Sequence, residues 1–570
     1  MLTDYYKQEL RKLKDIAKDF SRENPALTKA LSGSNADPDA SRILEGVAFL
    51  TANIRHELDT QFPNLLYSLA QLVCPQYIRP LPSATMIAFQ PKSSLAKPLT
   101  IEQGTYIDSK ESTSGSCRFR TTEQIEMMPL KLTQVLEHSR GADIQFGLKF
   151  ELINTTLDQL PFDKIRLYIG GEYEEACDIH YLLAQHTNSV TVAGVKLPVD
   201  VIQPAGIEDI KSTYPKPDGL TPAFDLLQQY FLFPEKLLYI DIDLSLWQQR
   251  GSDDQFTVEL SIKKPSFEVS TLTNEHFHLY VAPAVNLFNC DSESILISPS
   301  QNEYQLLPNA GSNKAQFDIF SVDTVTSNAR GVETPRNYQL FGGSDAISKN
   351  TQAIYELNYK QTNTTEPQVF LKLGIPEHSP IEQNEILKAK LTCSNGEGAD
   401  SLHIGDISVA TSNTPELVTF QNVTSPSESR RIPLDGDMLW QLISHLSLNY
   451  LSINDASTLK NILTQYIAPD TKAKSQRLSN EKRIESITKV SVEPGERLLN
   501  NAFVHGQNIT VTIKPDHFSS VGDKYLFASV LDKFFASSAP INVYSEFAIE
   551  DFFSGEVTRW PAQLGKRSMQ

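Results

Sequence analysis

Apolar residues in the first 80 positions recur at helical spacing. Tyr6, Leu10, Leu13, Ala17 and Phe20 lie on one stripe of an amphipathic helix, with basic and acidic residues alternating on the opposite face. Asp37-Pro38-Asp39 predicts the start of a second helix, since Asp37 can cap free amides and Pro38 suits a first turn that needs no donor. Ile43, Val47, Leu50, Ile54 and Leu58 form its stripe. A third helix carries Phe62, Leu65, Leu66, Leu69, Leu72 and Val73 and stops near Cys74-Pro75. These stripes are expected to be core, and three short helices bury so little alone that they should pack on something else.

From about residue 81 the period becomes two. Ile144, Phe146, Leu148, Phe150 and Leu152 alternate with polar residues or glycine, as do Phe256, Val258, Leu260 and Ile262, then Val369, Leu371 and Leu373, and finally Ile509, Val511 and Ile513. Pro, Gly, Asn and Ser clusters separate these runs, which predicts antiparallel sandwich or barrel modules rather than βαβ units. The polar interval Asn328 to Thr365 suits a long exposed loop or an insertion. Helical stripes return after Pro433: Leu439, Leu442, Ile443 and Leu446, then Leu459, Ile462, Leu463 and Tyr466 behind a capping signal at Asn454-Asp455. KAKSQRLSNEKR (Lys472 to Arg483) reads as a solvated loop. Tyr525, Phe527, Val530, Leu531, Phe534 and Phe535 make a last, aromatic helix. No fixed-period repeat is visible. The expected class is α+β, divided into a helical segment (1–80), a β-rich domain (81–300), a second β-rich domain with exposed loops (301–430) and an α+β domain (431–570).

The chain has 570 residues, 40% hydrophobic and 21% charged, ordinary for a folded protein of several domains. Its net charge of −18 argues against nucleic acid or anionic lipid as a main partner, because affinity for either comes from neutralising fixed negative charge. The five cysteines are odd in number and scattered, which fits reduced thiols in a cytosolic protein rather than a disulfide framework or a zinc knuckle. MLTDYYKQELRKLK has no apolar segment of a secretory signal, and no run of about 18 apolar residues occurs.

Catalytic signatures fail on their own chemistry. GGSDAISK (Gly342 to Lys349) lacks the second glycine and the following hydroxyl of a phosphate cradle. His56-Glu57 opens like a zincin helix, but Thr60 stands where the second histidine is required. No G-x-S-x-G elbow occurs. His276 and His278, on alternate strand positions, could share a metal only with a third ligand that the local spacing does not supply. Cys177 and His180 form an isolated C-x-x-H, and Asp241 and Asp243 are paired acids in a chain rich in solvated acids. No catalytic centre, cofactor or metal is expected. A β-rich hydrolase remains the alternative that a clustered acid pair would favour; a secreted adhesin is disfavoured by the missing signal and the unpaired cysteines.

Aromatic density stands out instead. YFLFPEKLLYIDI (Tyr230 to Ile242) and LYVAPAVNLF (Leu279 to Phe288) read either as core strands broken by proline or as the centres of permanent protein interfaces. These segments also carry a resemblance. DYYKQEL (Asp4 to Leu10), the long block from Asp37 to Ser83, CRFRTTEQIEMMPL (Cys117 to Leu130), LLQQYFLFPEKLLYIDI (Leu226 to Ile242), PAVNLF (Pro283 to Phe288), KLTCSNGE (Lys390 to Glu397), LWQLISHLSLNYLSI (Leu439 to Ile453) and WPAQLG (Trp560 to Gly565) follow in order. Together they resemble the TssF family (also VasA or ImpG), a baseplate subunit of the bacterial type VI secretion system. Two departures stand out: FVHGQ (Phe503 to Gln507) where the family tends to a Cys-Arg-Gly stretch, and Gln563 where an arginine is usual.

The resemblance implies a non-enzymatic scaffold akin to the wedge proteins of contractile phage tails, or a wedge of a related phage-tail-like particle. Two copies would wrap one TssG, and the wedge would engage TssK and TssE around the VgrG spike. It would form the platform for the Hcp tube and the sheath, with TssA and the inner-membrane complex nearby and the protein itself cytoplasmic. Contact residues singled out on this basis are Tyr5, Tyr6, Phe231, Phe233, Pro234, Phe288, Trp440 and Trp560.

Overall fold

The computed structural model describes residues 2–23, 38–39, 42–55, 80–112, 115–140, 143–160, 162–207, 211–215, 222–248, 250–298, 300–309, 317–329, 334–341, 353–361, 367–374, 385–430, 453, 455–467, 474–499 and 502–565. The chain divides into two compact units, one of Met1–Ile78, Glu356–Lys372 and Pro433–Ser447, the other of Arg79–Tyr355, Leu373–Ile432 and Leu448–Gln570. The expected third helix, the helix near Leu439 and the capping residues Asp37 and Asn454 lie outside the described residues.

In the first unit, helix α1 (Leu2–Glu23) turns its stripe inward as its period requires: Tyr6, Leu10 and Leu13 are half-buried and Ala17 is buried. Helix α2 (residues 42–55) does the opposite. Its buried positions are Ala48 and Ala52, both at 0% exposure, with Leu44 half-buried one turn earlier. The stripe expected to be core is outside: Ile43 is 67%, Leu50 62% and Ile54 60% exposed, and Val47 is exposed beside them. Residues four apart share a helix face, so the small Leu44–Ala48–Ala52 row and the large apolar row point in different directions. Arg55 reaches back to Glu9 of α1 and lies over the Tyr5 ring.

The second unit begins with a six-stranded antiparallel sheet ordered Ile407–Ala410, Tyr106–Ser109, Arg118–Thr121, Val281–Val285, Ala84–Pro91 and Val418–Asn422. Its two ends meet. The buried Asn422 side chain accepts from the Ile407 amide at 3.0 Å and donates to the carbonyls of His403 and Thr424, so the sheet closes on itself around Ile87, Phe89, Ile107, Phe119 and Ile407. This barrel joins strands on both sides of the border expected at residue 300, because the pairing of Ala84–Pro91 with 281–285 and 418–422 ignores sequence distance.

A five-stranded sheet follows, in which the expected alternation is realised: Phe150 faces Phe256, Leu148 faces Val258, Phe146 faces Leu260 and Ile144 faces Ile262. A four-stranded sheet (Ile202–Ala205, Tyr239–Asp243, Lys164–Ile169, Phe277–Leu279) has two helices between its strands in sequence that are without counterpart in the period-two reading, α3 (Tyr173–Gln185), which packs on it, and α4 (Pro222–Leu232). YFLFPEKLLYIDI is thus the end of α4, a 3-10 turn at Pro234–Leu237 and one strand, rather than two strands. The interval Asn328 to Thr365 holds strands Arg336–Leu340 and Ala353–Gln361, and Tyr338–Leu340 run parallel to Ala353–Tyr355. Tyr338, Ala353 and Tyr355 are buried there, so sparse apolar residues suffice where both neighbours are strands.

In the C-terminal region, Asp455 caps α5 (Ala456–Thr464) by accepting from the Thr458 amide at 2.7 Å, as the sequence predicts. The stretch expected as a solvated loop is helix α6 (Lys474–Glu485). A hairpin, Ile487–Leu499 with Ala502–Ile513, is followed by α7 (Val521–Ser538) and a return strand, Tyr544–Asp551, parallel to its neighbour. Gly495 and Gly506 oppose one another in the hairpin, and a Cβ on Gly506 would meet the Tyr544 ring at 2.2 Å. Glycine here leaves room for the ring to cover both strands. Gln563 is half-buried and held in place: its amide donates to buried Asp532 at 2.7 Å and its oxygen accepts from Lys533 at 3.2 Å.

Helix α7 is buried nearly all round and docks by one ionic knot. Arg483 of α6 donates to Asp523 of α7 through both Nε and Nη2 at 3.0 Å, with 7% and 1% of the two side chains exposed. Tyr173 of α3 donates to the same carboxylate at 3.2 Å. Asn480 accepts from Arg483 at 2.6 Å and donates to the Phe231 carbonyl of α4. Gly522 approaches α3 so closely that a Cβ would lie 2.2 Å from the Cys177 backbone, and its amide donates to Asp178 at 2.7 Å. Burial opposes the Arg483 charge, yet Tyr230, Tyr173 and Asp523 outweigh it, so the guanidinium is held protonated more firmly than usual. Arg483→Met strands a buried carboxylate and should cost about 3–5 kcal/mol in urea unfolding. Adding Asp523→Leu to that variant should restore part of the loss; a double variant whose loss equals the sum of the two single losses refutes the coupling.

Helix α3 also buries His180, and neither ring nitrogen makes a well-formed hydrogen bond. Burial pushes its pKa down from 6.5 to about 4, with only weak opposition from the Tyr239 backbone. The unfolded chain therefore takes up this proton first. Stability is full above about pH 6.5 and is lost as pH falls from 6.5 towards 4. Thermal melts of His180→Leu should show a shallower decline over that window than the unaltered protein, with equal slopes counting against it.

Candidate functional site

The aromatic residues singled out from sequence are mostly interior. Phe231 and Phe233 are each 1% exposed, Pro234 and Phe288 are buried, and Phe231 stacks on Tyr466 at 6.2 Å between ring centres. Phe288 packs edge-on against Phe317 at 4.9 Å. Trp560 is half-buried, donates from Nε1 to Ser529 Oγ at 3.2 Å and stacks on Tyr525. Tyr5 and Tyr6 are half-buried on α1. Trp440 lies outside the described residues. Dense aromatic composition marks a core here, because helix α4 packs on α7 and the strand after Pro234 lies between Lys164–Ile169 and Ile202–Ala205 against helix α3.

The residues tested for chemistry are likewise tied up internally. His276 sits in a 3-10 turn, not on the strand of His278, with Nε2 3.7 Å from Glu175 and Nδ1 accepting from the Thr273 amide at 3.2 Å. Cys177 and His180 are buried within α3. Asp241 accepts both arms of Arg166 at 2.7 and 2.9 Å and also meets Lys164, while Asp243 accepts from the Ser245 amide at 2.8 Å. A cavity of about 340 Å³ next to Asp241 is reached by Glu123, Lys164, Arg166, Tyr239 and Tyr280. Arg166 and Lys164 pair there with Asp241, and Glu123 with buried Lys236 at 3.5 Å. Among the described residues, no group of three or more His, Cys, Asp or Glu is placed to hold a metal ion. The segments containing His56-Glu57 and GGSDAISK lie outside the described residues. Nor is any described helix long and apolar enough to cross a membrane.

The fold also leaves apolar surface exposed. The α2 row is one patch. At the outer end of the C-terminal hairpin, Leu498 and Phe503 face each other, and Phe503 is 83% exposed. The third strand joins only from Gly506 onward, so this pair extends past the sheet. A third patch is the turn Phe552-Phe553, whose rings pack edge-on. Aromatic content alone could not have separated these from the core; only their position past the last paired strand does.

The geometry matches known folds. A structure of the type VI secretion system TssK-TssF-TssG baseplate subcomplex superposes with a TM-score of 0.75 at 22% identity, covering 92% of this chain and 99% of that one. A structure of the baseplate complex from the type VI secretion system superposes at 0.62 with 19% identity over the full length of both chains. In sequence, type VI secretion system component TssF1 of Pseudomonas aeruginosa is 25% identical, with 99% of each chain covered. The family described as "Type VI secretion system, TssF" matches residues 1–567. Matched over nearly its whole length, the chain belongs to the TssF family of type VI secretion systems.

Proposed function

We propose that this chain is a structural wedge subunit of a type VI secretion baseplate, contributing shape and adhesive surface rather than a reactive group. It assembles with TssG and TssK, two copies to one TssG, and reaches TssE and the VgrG spike as the wedges gather into the platform for the tube of Hcp and the sheath. It works on the cytoplasmic side and meets TssA and the inner-membrane complex through these partners. The family match and the baseplate structures with the same fold support this reading.

The observation that carries it is helix α2. A helix that turns alanines inward and isoleucine and leucine outward gains little from its own chain, whereas a fully buried side chain of that size contributes about 1.5–3 kcal/mol. Such a row fits a helix-packing partner, and it extends over three turns at the spacing that knobs need. The acidic surface suits contact through proteins rather than anionic lipid.

Ile43→Ser combined with Leu50→Ser and Ile54→Ser tests this in the full chain co-expressed with TssG and TssK. The exposed positions should leave the melting temperature of the isolated chain within about 2 °C of the unaltered protein, while recovery of TssG on affinity purification falls at least tenfold. Undiminished recovery of TssG with the triple variant refutes the assignment of this face.

A further inference from the structure

The cavity beside Asp241 is polar on one side and apolar on the other. Strand Lys164–Ile169 gives it Lys164 and Arg166, which as alternate residues share one face of the sheet. The opposite wall is made by Ile125, Met128, Leu130, Phe162 and Leu279. Its volume, about 340 Å³, lies within the roughly 300–1,000 Å³ that small-molecule sites occupy. Solvent reaches it on the cationic side, where 51% of the Lys164 side chain and 38% of Arg166 are exposed, against 7% of Asp241.

Hydrogen-bonding capacity at this mouth is uneven. Asp241 stands opposite Arg166 across the strand pair and accepts from its Nε and Nη2 at 2.7 and 2.9 Å, which occupies both carboxylate oxygens. Arg166 Nη1 has no acceptor among the described residues. The Lys164 ammonium, with three hydrogens to donate, meets Asp241 alone among them. Glu123 faces buried Lys236, and Glu126 is exposed, where water and salt screen it. The spare groups are therefore positively charged donors. Tyr280, on the rim between Phe277–Leu279 and Val281–Val285, adds a second sign. Of the described non-glycine residues with left-handed backbone it alone is aromatic, at φ 55, held there as its carbonyl accepts from the Phe89 amide at 3.0 Å. Backbone strain of this kind persists where the surroundings impose it, and it clusters at binding sites.

We propose that this cavity binds a small aryl-alkyl carboxylic acid, its apolar body against Phe162, Leu130 and Leu279 and its carboxylate across Arg166 Nη1 and Lys164 Nζ. Arg166 then stands between two carboxylates, Asp241 and the ligand, and Lys164 supplies the second positive charge that this arrangement needs. Asp241 fixes the guanidinium fork before the ligand arrives, so little side-chain freedom is lost on binding. A neutral ligand of the same shape keeps the apolar contacts and loses the charged ones. The site lies within the second unit and uses none of the α2 face, so it stands or falls independently of the assembly reading.

Saturation-transfer NMR of 4-phenylbutyrate with the full-length protein at pH 7 tests the assignment. Binding should saturate with a dissociation constant of about a millimolar, as suits so small a ligand, and 4-phenylbutyramide should bind about fivefold more weakly. Leu279→Trp fills the cavity from a half-buried position and should remove the saturable signal. Lys164→Gln leaves Arg166 with Asp241 and should weaken the acid about threefold while leaving the amide unchanged. No saturable binding below about 20 mM, an amide that binds as tightly as the acid, or binding of the acid unchanged in either variant would each overturn the proposal.

Discussion

The second unit depends on the buried pair of Arg483 and Asp523. A carboxyl group 1% exposed needs a full set of donors, and three elements supply them: α6 the guanidinium, α3 the Tyr173 hydroxyl, and the turn before α7 the Ser519 amide and hydroxyl. Asn480 then ties the arginine to the carbonyl of Phe231 in α4. The helices thus share one polar knot inside an aromatic shell of Tyr173, Tyr230 and Phe527. Removing any member leaves the others unpaired in a poorly solvated place, so the docking of the C-terminal region onto the middle sheets is close to all-or-none. Hydrophobic burial supplies attraction without direction; the knot sets which helix faces which.

The same economy holds the candidate chemical groups in internal pairs. Asp241, Glu123, Lys236 and Arg166 each have an internal partner at ion-pair distance, and Asp178 is committed to the helix start at Gly522. Among the described residues, exposed apolar side chains gather on the outer face of α2, at the end of the hairpin at Leu498 and Phe503, and in the turn at Phe552-Phe553.

Several elements could be read directly from the chain. Strands Asp143–Leu152 and Gln255–Lys263 announce themselves because one of their faces is solvated, so period two is written in residue type and the register between them follows. The Asp455 cap and the aromatic α7 were equally plain. Helix α6 was not. KAKSQRLSNEKR has no apolar stripe, and it is ordered through Arg483 and Asn480, whose partners stand tens to hundreds of residues away. Helices α3 and α4 were hidden for the opposite reason: their apolar residues cover several faces, and a helix buried widely shows no clear period. At the candidate surface, α2 had the right residues and the wrong direction. Periodicity shows that Ile43, Val47, Leu50 and Ile54 share a face without saying which way that face points.

The sequence by itself determined the α+β class, the period of most elements, the acidic charge and, through eight ordered motifs, the family. These are local or additive properties, carried by residue type and spacing. Tertiary structure alone decided that the barrel joins strands more than 300 residues apart, that Asn422 closes it, and that Phe231 and Phe288 face inward while Phe503 faces out. Burial is a property of what packs against a residue, and the partners of each of these positions lie far along the chain, where no local pattern records them.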